Sequence, residues 1–418
     1  MLSQTSGGAD VRLPLSHVAF GLLASLTLPL VLLLSPQWLQ HGLPGSTATL
    51  VATHLFTLGW TTATAMGALL MIVPVAGVAE VQGKGLGPIV PFATLPGILL
   101  LLLGFGTGSG SVLAVGGSLI TLGVVAFVVI IWRTARAATV SSPTPAAAVV
   151  AAGFLLLTVL AGLAEALNLQ YGYWAISMPR FWGLHVALGG FGWISLAILG
   201  VSYKLVQMFT LSHAQPRYAT AVLVLWSVGV LWAAGAALYG TDPLAALAAL
   251  PIITAYILFL SDMRRFLKAR QRPIEPGIRQ AILSWYVLGA LLVLIPLDLL
   301  GVLAISPFAL AFLFAFGWAG ANLWGYLFKI APFLVWFHSY AEDAATKKTP
   351  SLVAMAGPGR LRAGFYLLAA AVPLGFFGLA FDVFPVQLLG EVLLLGASLS
   401  FTLSGLSLAA HFFGIARR

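Results

Sequence analysis

Residues 53–75 read THLFTLGWTTATAMGALLMIVPV, a run with one histidine and no formally charged side chain. An apolar run of about 20 residues is long enough to cross the hydrocarbon core of a bilayer as one helix. The whole chain has this character. Of its 418 residues 60% are hydrophobic and 7% are charged, and its mean hydropathy is +1.03. A water-soluble chain of this length carries roughly 25% charged residues, so lipid must solvate most of this one. The sequence therefore predicts an all-α polytopic membrane protein. Twelve spans are expected near 13–34, 48–75, 88–107, 111–132, 146–168, 181–208, 217–239, 243–261, 279–303, 307–334, 363–383 and 387–413.

Loop charge orients the spans. With the N-terminus inside, the inner connections and tails hold Arg12, Lys84, Arg133, Arg136, Arg217, the run from Arg264 to Arg279, Lys347, Lys348, Arg360, Arg362, Arg417 and Arg418. The opposite side holds only Arg180. Basic residues accumulate in cytoplasmic loops, so both termini are expected in the cytoplasm, with the chain in a bacterial inner membrane. MLSQTSGGADVR at the start has no basic segment or cleavage site of a signal peptide and reads as a short tail. The net charge of +9 is spread over short loops, a topology signal and not a nucleic-acid footprint. The absence of cysteine excludes disulfides, thiolate metal sites and cysteine nucleophiles. The only long connections outside the basic 262–278 stretch are 168–180 and 335–362, so one transmembrane domain, 1–418, is expected.

A repeat runs through that domain. Gly59-Trp60 is followed by Gly67, Gly192-Trp193 by Gly200, and Gly317-Trp318 by Gly325. The final glycines are 133 and 125 residues apart, and four residues beyond them stand Met71, Lys204 and Lys329. Pro74 and Pro332 also correspond, with Gln207 at the middle position. The motif falls on the second, sixth and tenth spans. The chain thus reads as three four-helix modules, about 13–132, 146–261 and 279–413, arranged as pseudo-threefold arcs. Gly59, Ala63 and Gly67, like Gly317, Ala321 and Gly325, form small faces for close helix contact.

A twelve-helix subunit of three four-helix arcs, with helices 2, 6 and 10 innermost, resembles subunit I of the haem-copper oxidases. THLFTLGWTTATAMGALLMIVPV looks like the family's second helix, where a histidine near the outer end ligates low-spin haem. GLHVALGGFGWISLAILGVSYKLVQMF, residues 183–209, resembles its sixth helix, where a histidine ligates the active-site copper. The departures matter as much. Catalytic members carry a His-His pair on helix 7 and two haem ligands on helix 10. Here the seventh span, ATAVLVLWSVGVLWAAGAALYG, has no histidine, and the tenth has Phe312 at the place equivalent to His54. A standard oxygen- or nitric-oxide-reducing centre cannot be assembled from these residues. A second, weaker similarity is to the haem-associated NnrS family, whose richer histidine set this chain lacks.

Seven histidines carry the candidate chemistry: His17, His41, His54, His185, His213, His338 and His411. His54 lies 13 residues before Gly67 and His185 lies 15 before Gly200. Both therefore belong in the outer part of the membrane and are expected to face one cavity. There neutral imidazole nitrogens suit haem iron, haem b being the type expected, or copper. The plainer reading is that each bonds a neighbouring helix. Glu80, His213 and His338 each fall 13 residues after the last repeat glycine. Two histidines and a carboxylate are a ligand set for iron or zinc; the plainer reading is polar residues at three homologous helix ends. His17 and His411, at inner ends of the first and last spans, form a further candidate pair. Glu165, Asp298 and Glu391 within spans point to a cation site or proton path, or to helix ends. Lys204 and Lys329 snorkel to headgroups or pair with haem propionates or lipid phosphate. Trp38, Tyr171, Tyr173, Trp174 and Trp182 read as an interfacial aromatic belt.

Three functions follow as expectations. The first is a haem- or metal-binding protein for redox, sensing or an accessory respiratory or nitric-oxide-related role. The second is a transporter or handling protein for a metal, haem or small ligand. The third is a scaffold subunit without catalysis of its own. Its partners would be the lipid bilayer and proteins of a respiratory or denitrification complex.

Overall fold

The computed structural model describes residues 12–34, 39, 42–43, 45–173, 178–342, 344 and 346–417. Trp38, His41, Trp174 and Arg418 lie outside the described residues. The described chain is helical, with no strand among the described residues. Twelve helices are long and apolar enough to span a membrane: α1 Arg12–Leu34, α2 Thr47–Gly77, α3 Lys84–Thr107, α4 Gly110–Arg136, α5 Pro143–Tyr171, α6 Met178–Thr210, α7 Ala219–Tyr239, α8 Asp242–Lys268, α9 Pro276–Leu299, α10 Pro307–Tyr340, α11 Pro358–Ala380 and α12 Phe384–Phe412. The protein is a multi-pass α-helical membrane protein. All twelve expected spans are present, because within lipid a helix alone satisfies its own backbone hydrogen bonds.

The boundaries differ where charge entered the reading. α8 continues past the expected end at 261 to Lys268, because Asp262 is buried and its neighbours Arg264 and Arg265 are exposed. α10 runs on to Tyr340, and a short helix, Leu352–Ala356, fills part of the expected long loop.

Cα packing divides the chain into two compact units. The first holds 1–20, 44–273 and 292–304; the second holds 21–43, 274–291 and 305–418. The first contains the opening of α1, α2–α8 and the end of α9. Its helix pairs approach closely at glycines. A Cβ on Gly97 would stand 2.9 Å from the Gly116 carbonyl oxygen, and one on Gly104 would stand 2.8 Å from Leu113, so α3 and α4 touch backbone to backbone. Buried Trp60, Trp193, Trp226, Phe127 and Phe259 fill the interior. The second unit contains the remainder of α1, the start of α9 and α10–α12. There Trp324, Phe328 and Phe365 gather around Phe401 of α12.

The repeat reappears in local geometry. Each copy carries a π-helical segment across its Gly-Trp pair: Leu55–Thr62, Ala187–Ser195 and Leu313–Gly320. The last glycine of each copy also meets the preceding helix. Gly67 meets Pro14 and His17 of α1, Gly200 meets Ala147 of α5, and Gly325 meets Gly277 of α9. In the first unit the repeat helices are linked directly, since Trp193 Nε1 of α6 donates to Thr62 Oγ1 of α2 at 2.9 Å.

Candidate functional site

α2 begins at an N-cap, Ser46, whose hydroxyl accepts from the Thr49 amide at 3.3 Å. Two turns later His54 closes the α-helical part, and the backbone widens into the π segment at Leu55. In α6 His185 likewise stands two residues before the π segment that starts at Ala187. π segments are frequent at functional sites, because an extra residue in a turn re-aims the side chains around it. The two imidazoles belong to the first unit, and their ring centres are 6.4 Å apart with the planes inclined by 41°.

Hydrogen bonding sets the nitrogens. His54 Nδ1 donates to the Leu50 carbonyl oxygen at 2.7 Å, which leaves Nε2 as the nitrogen with a free lone pair. His185 is turned so that its Cε1–Nε2 edge lies against Gly162 of α5; a Cβ at Gly162 would be 3.2 Å from Cε1. Its other nitrogen, Nδ1, is buried and has no hydrogen-bond partner among the described residues. A buried polar atom without a partner is uncommon in native structures and asks for an explanation. Around the pair stand Phe105 of α3, whose ring is 4.7 Å from that of His54, and Phe181, stacked on His185 at 5.6 Å. Phe105, Phe181 and Gly162, which stand against the pair, are all apolar.

This donor set discriminates among metals. Zinc in proteins takes at least three side-chain ligands, and a non-haem iron site takes two histidines and a carboxylate. Among the described residues no three His, Asp, Glu or Cys side chains gather to hold an ion. Two imidazoles alone suffice where the other donors come from elsewhere, as in haem, or where two ligands are enough, as for cuprous copper. The donor chemistry of the pair, two imidazoles whose ring centres are 6.4 Å apart, suits either group.

The other candidates are distributed differently. Glu80 and His213 lie in connections of the first unit, both exposed, because the chain leaves the helix at Val78 (φ 48°) and Leu211 (φ 51°). His338 is exposed on α10 of the second unit, where the helix continues, and it stacks on Phe412. Equal spacing in sequence thus does not become equal structure: two copies end in left-handed caps and the third does not. His17 is fully buried against Thr94, at 3.2 Å from its hydroxyl. His411 Nδ1 and the Tyr340 hydroxyl are 2.7 Å apart. Both histidines bond to neighbouring side chains. Lys329 pairs with Glu275 of α9.

Asp262 is a site that sequence reasoning missed. Its carboxylate is buried and accepts from the backbone amides of Arg217 and Tyr218 at 2.8 and 2.9 Å, just before α7. The Tyr203 hydroxyl adds a longer bond of 3.4 Å. A cleft of about 460 Å³ opens beside this knot, its lining including Ser141, Ser142, Tyr203, Gln215 and Arg217. Gly162, Phe105 and Phe181 were also missed; none carries a signal in sequence beyond its residue type.

Geometry and fold define the protein as a membrane protein with twelve membrane-length helices among the described residues and a half-buried imidazole pair. No protein-family model matches the chain, and no curated protein is similar enough to match it.

Proposed function

We propose that this chain is a divergent relative of haem-copper oxidase subunit I that binds haem, or copper, between His54 and His185. Its role would be redox, sensing or accessory to respiration or nitric oxide handling, without standard oxygen or nitric oxide reduction. The observation that carries the reading is the approach of two imidazoles from α2 and α6 to 6.4 Å within an apolar setting. The Nδ1 bond to Leu50 supports it, because it presents His54 Nε2 as a ligand and holds the ring against rotation. The orphan Nδ1 of His185 supports it from the opposite helix. Bound haem supplies one-electron chemistry at iron, whose potential depends on axial ligands and burial. The chain's own part is to hold the two nitrogens, exclude water with Phe105 and Phe181, and leave space at Gly162. Triplication of a four-helix unit agrees with the three π segments and three matching glycine contacts.

Optical spectroscopy of the purified full-length protein tests this. The expected result is a Soret band that shifts on dithionite reduction and is lost in both His54→Ala and His185→Ala. Stoichiometric copper in a protein without a Soret band, lost in the same variants, would select the copper form. A colourless, metal-free preparation that stays so after incubation with haemin and with cuprous ion would refute both.

A further inference from the structure

α12 carries the second unit's most isolated polar groups. Glu391 is wholly buried. One carboxylate oxygen accepts from Gln387 Nε2 at 2.7 Å, and the other, Oε2, has no hydrogen-bond partner among the described residues. No cationic side chain pairs with it among the described residues. Two further buried oxygens on the helix, Ser398 Oγ and Thr402 Oγ1, also have no partner among the described residues. At 3.6 residues per turn, positions 391, 398 and 402 fall within a narrow stripe on one face, spread over roughly 16 Å of helix.

The hydroxyls are informative because their neighbours behave differently. A serine or threonine within a membrane helix normally donates to the carbonyl oxygen four residues back. Ser400 does so to Gly396 at 2.9 Å, and Ser404 to Ser400 at 3.0 Å. Ser398 and Thr402 do not, although they share the helix. Their buried oxygens have no partner among the described residues. The same stripe carries the carboxyl, and an unpartnered charge at membrane depth is costly.

We propose that Glu391 is a proton-binding carboxyl, reached by a file of water that Ser398 and Thr402 hold along α12. In the transfer, hydronium gives its proton to Oε2, leaving water and a neutral carboxyl; the reverse step returns the proton to the file. A metal cation fits less well. It needs a cage of several oxygens around one point, whereas Ser398 stands roughly 10 Å along the helix from Glu391. A proton needs one lone pair and a hydrogen-bonded chain.

Among the described residues of the second unit no other titrating group stands at the level of Glu391. α11 packs beside it at Gly375 and Gly378; its ionisable residues Arg360, Arg362 and Tyr366 lie at its far end. Asp382 is exposed on the turn between α11 and α12. α10 reaches this level with Phe312, whose ring meets Gly375. Its ionisable residues Tyr326, Lys329, His338 and Tyr340 begin roughly 21 Å farther along the helix. On α12 itself the remaining group is His411, bonded to Tyr340.

Infrared spectroscopy of the full-length protein in lipid nanodiscs tests the proposal. The expected result is a carboxyl C=O stretch in the wild-type minus Glu391→Gln difference spectrum that grows on acidification and shifts promptly in D2O. In Ser398→Ala/Thr402→Val that component stays but its deuterium exchange slows by about tenfold, the effect of losing roughly one hydrogen bond. Exchange equally fast in that double variant, or a difference spectrum without a titrating carboxyl component, overturns the proposal. A band abolished by sodium at constant pH also overturns it, in favour of a sodium site. Should Glu391→Gln fail to fold, the exchange rate of the double variant decides alone.

Discussion

The glycines that end each repeat offer the sharpest quantitative test of the packing. On an unhindered helix, glycine to alanine stabilises by roughly 0.5–1 kcal/mol, because alanine loses less backbone entropy on folding. Gly153 of α5 is such a position, since a Cβ there would meet nothing within 4 Å. At Gly67 a Cβ would stand 2.6 Å from the Pro14 carbonyl oxygen, and at Gly325 it would stand 2.6 Å from the Gly277 carbonyl oxygen. Ordinary contact begins near 3.4 Å, so two helices must separate by roughly 0.8 Å, and both obstructing atoms are backbone that no rotamer can move. Overpacking of this kind costs about 1–3 kcal/mol. Gly67→Ala and Gly325→Ala should therefore fall about 2–3 kcal/mol below Gly153→Ala in stability. Gly200→Ala, whose Cβ would lie 2.5 Å from that of Ala147, should behave like them. Unfolding of the detergent-solubilised protein by added SDS, followed by far-UV circular dichroism, measures the differences. Should the three repeat variants unfold together with Gly153→Ala, the close helix contacts are not where the structure has them.

Four further outcomes are expected. Asp262→Ala strands two backbone amides before α7 and should cost about 2 kcal/mol or more, whereas Asp262→Asn, which keeps one acceptor, should cost less; the same unfolding assay reads both. Trp193→Phe removes the bond to Thr62 between α6 and α2 and should cost about 0.6–1.7 kcal/mol, the range for such bonds in membrane proteins. Lys329→Met deletes a partly exposed ion pair with Glu275, restores the residue type of Met71, and should change stability by less than about 1 kcal/mol. Gly162→Val presses on His185 Cε1 and should weaken haemin binding while leaving the far-UV spectrum unchanged; unaltered haemin affinity would remove Gly162 from the site.

The spans and the repeat were legible from sequence for a simple reason. A membrane helix announces itself through about 20 apolar residues in a row, and the Gly-Trp pairs of spans two, six and ten survive as identical letters. Counting from the repeat glycines put His54 and His185 in the outer part of the membrane. The 6.4 Å between their ring centres, the Leu50 carbonyl that occupies one nitrogen and Gly162 beside the other ring are known only from the structure. The equal spacing of Glu80, His213 and His338 was equally legible, yet it carries no geometry. Whether a helix continues for four more residues or ends at Val78 and Leu211 is decided by local caps and packing, not by counting.

What the sequence determined by itself is the solvent and the number of membrane-length helices, because these depend on composition summed along a single helix. Tertiary structure decided the role of Asp262 and the isolation of the Glu391 oxygen. Each depends on groups brought alongside from elsewhere in the chain: Asp262 meets amides 44 and 45 residues away. A buried polar atom has meaning only once its neighbours, or their lack, are known.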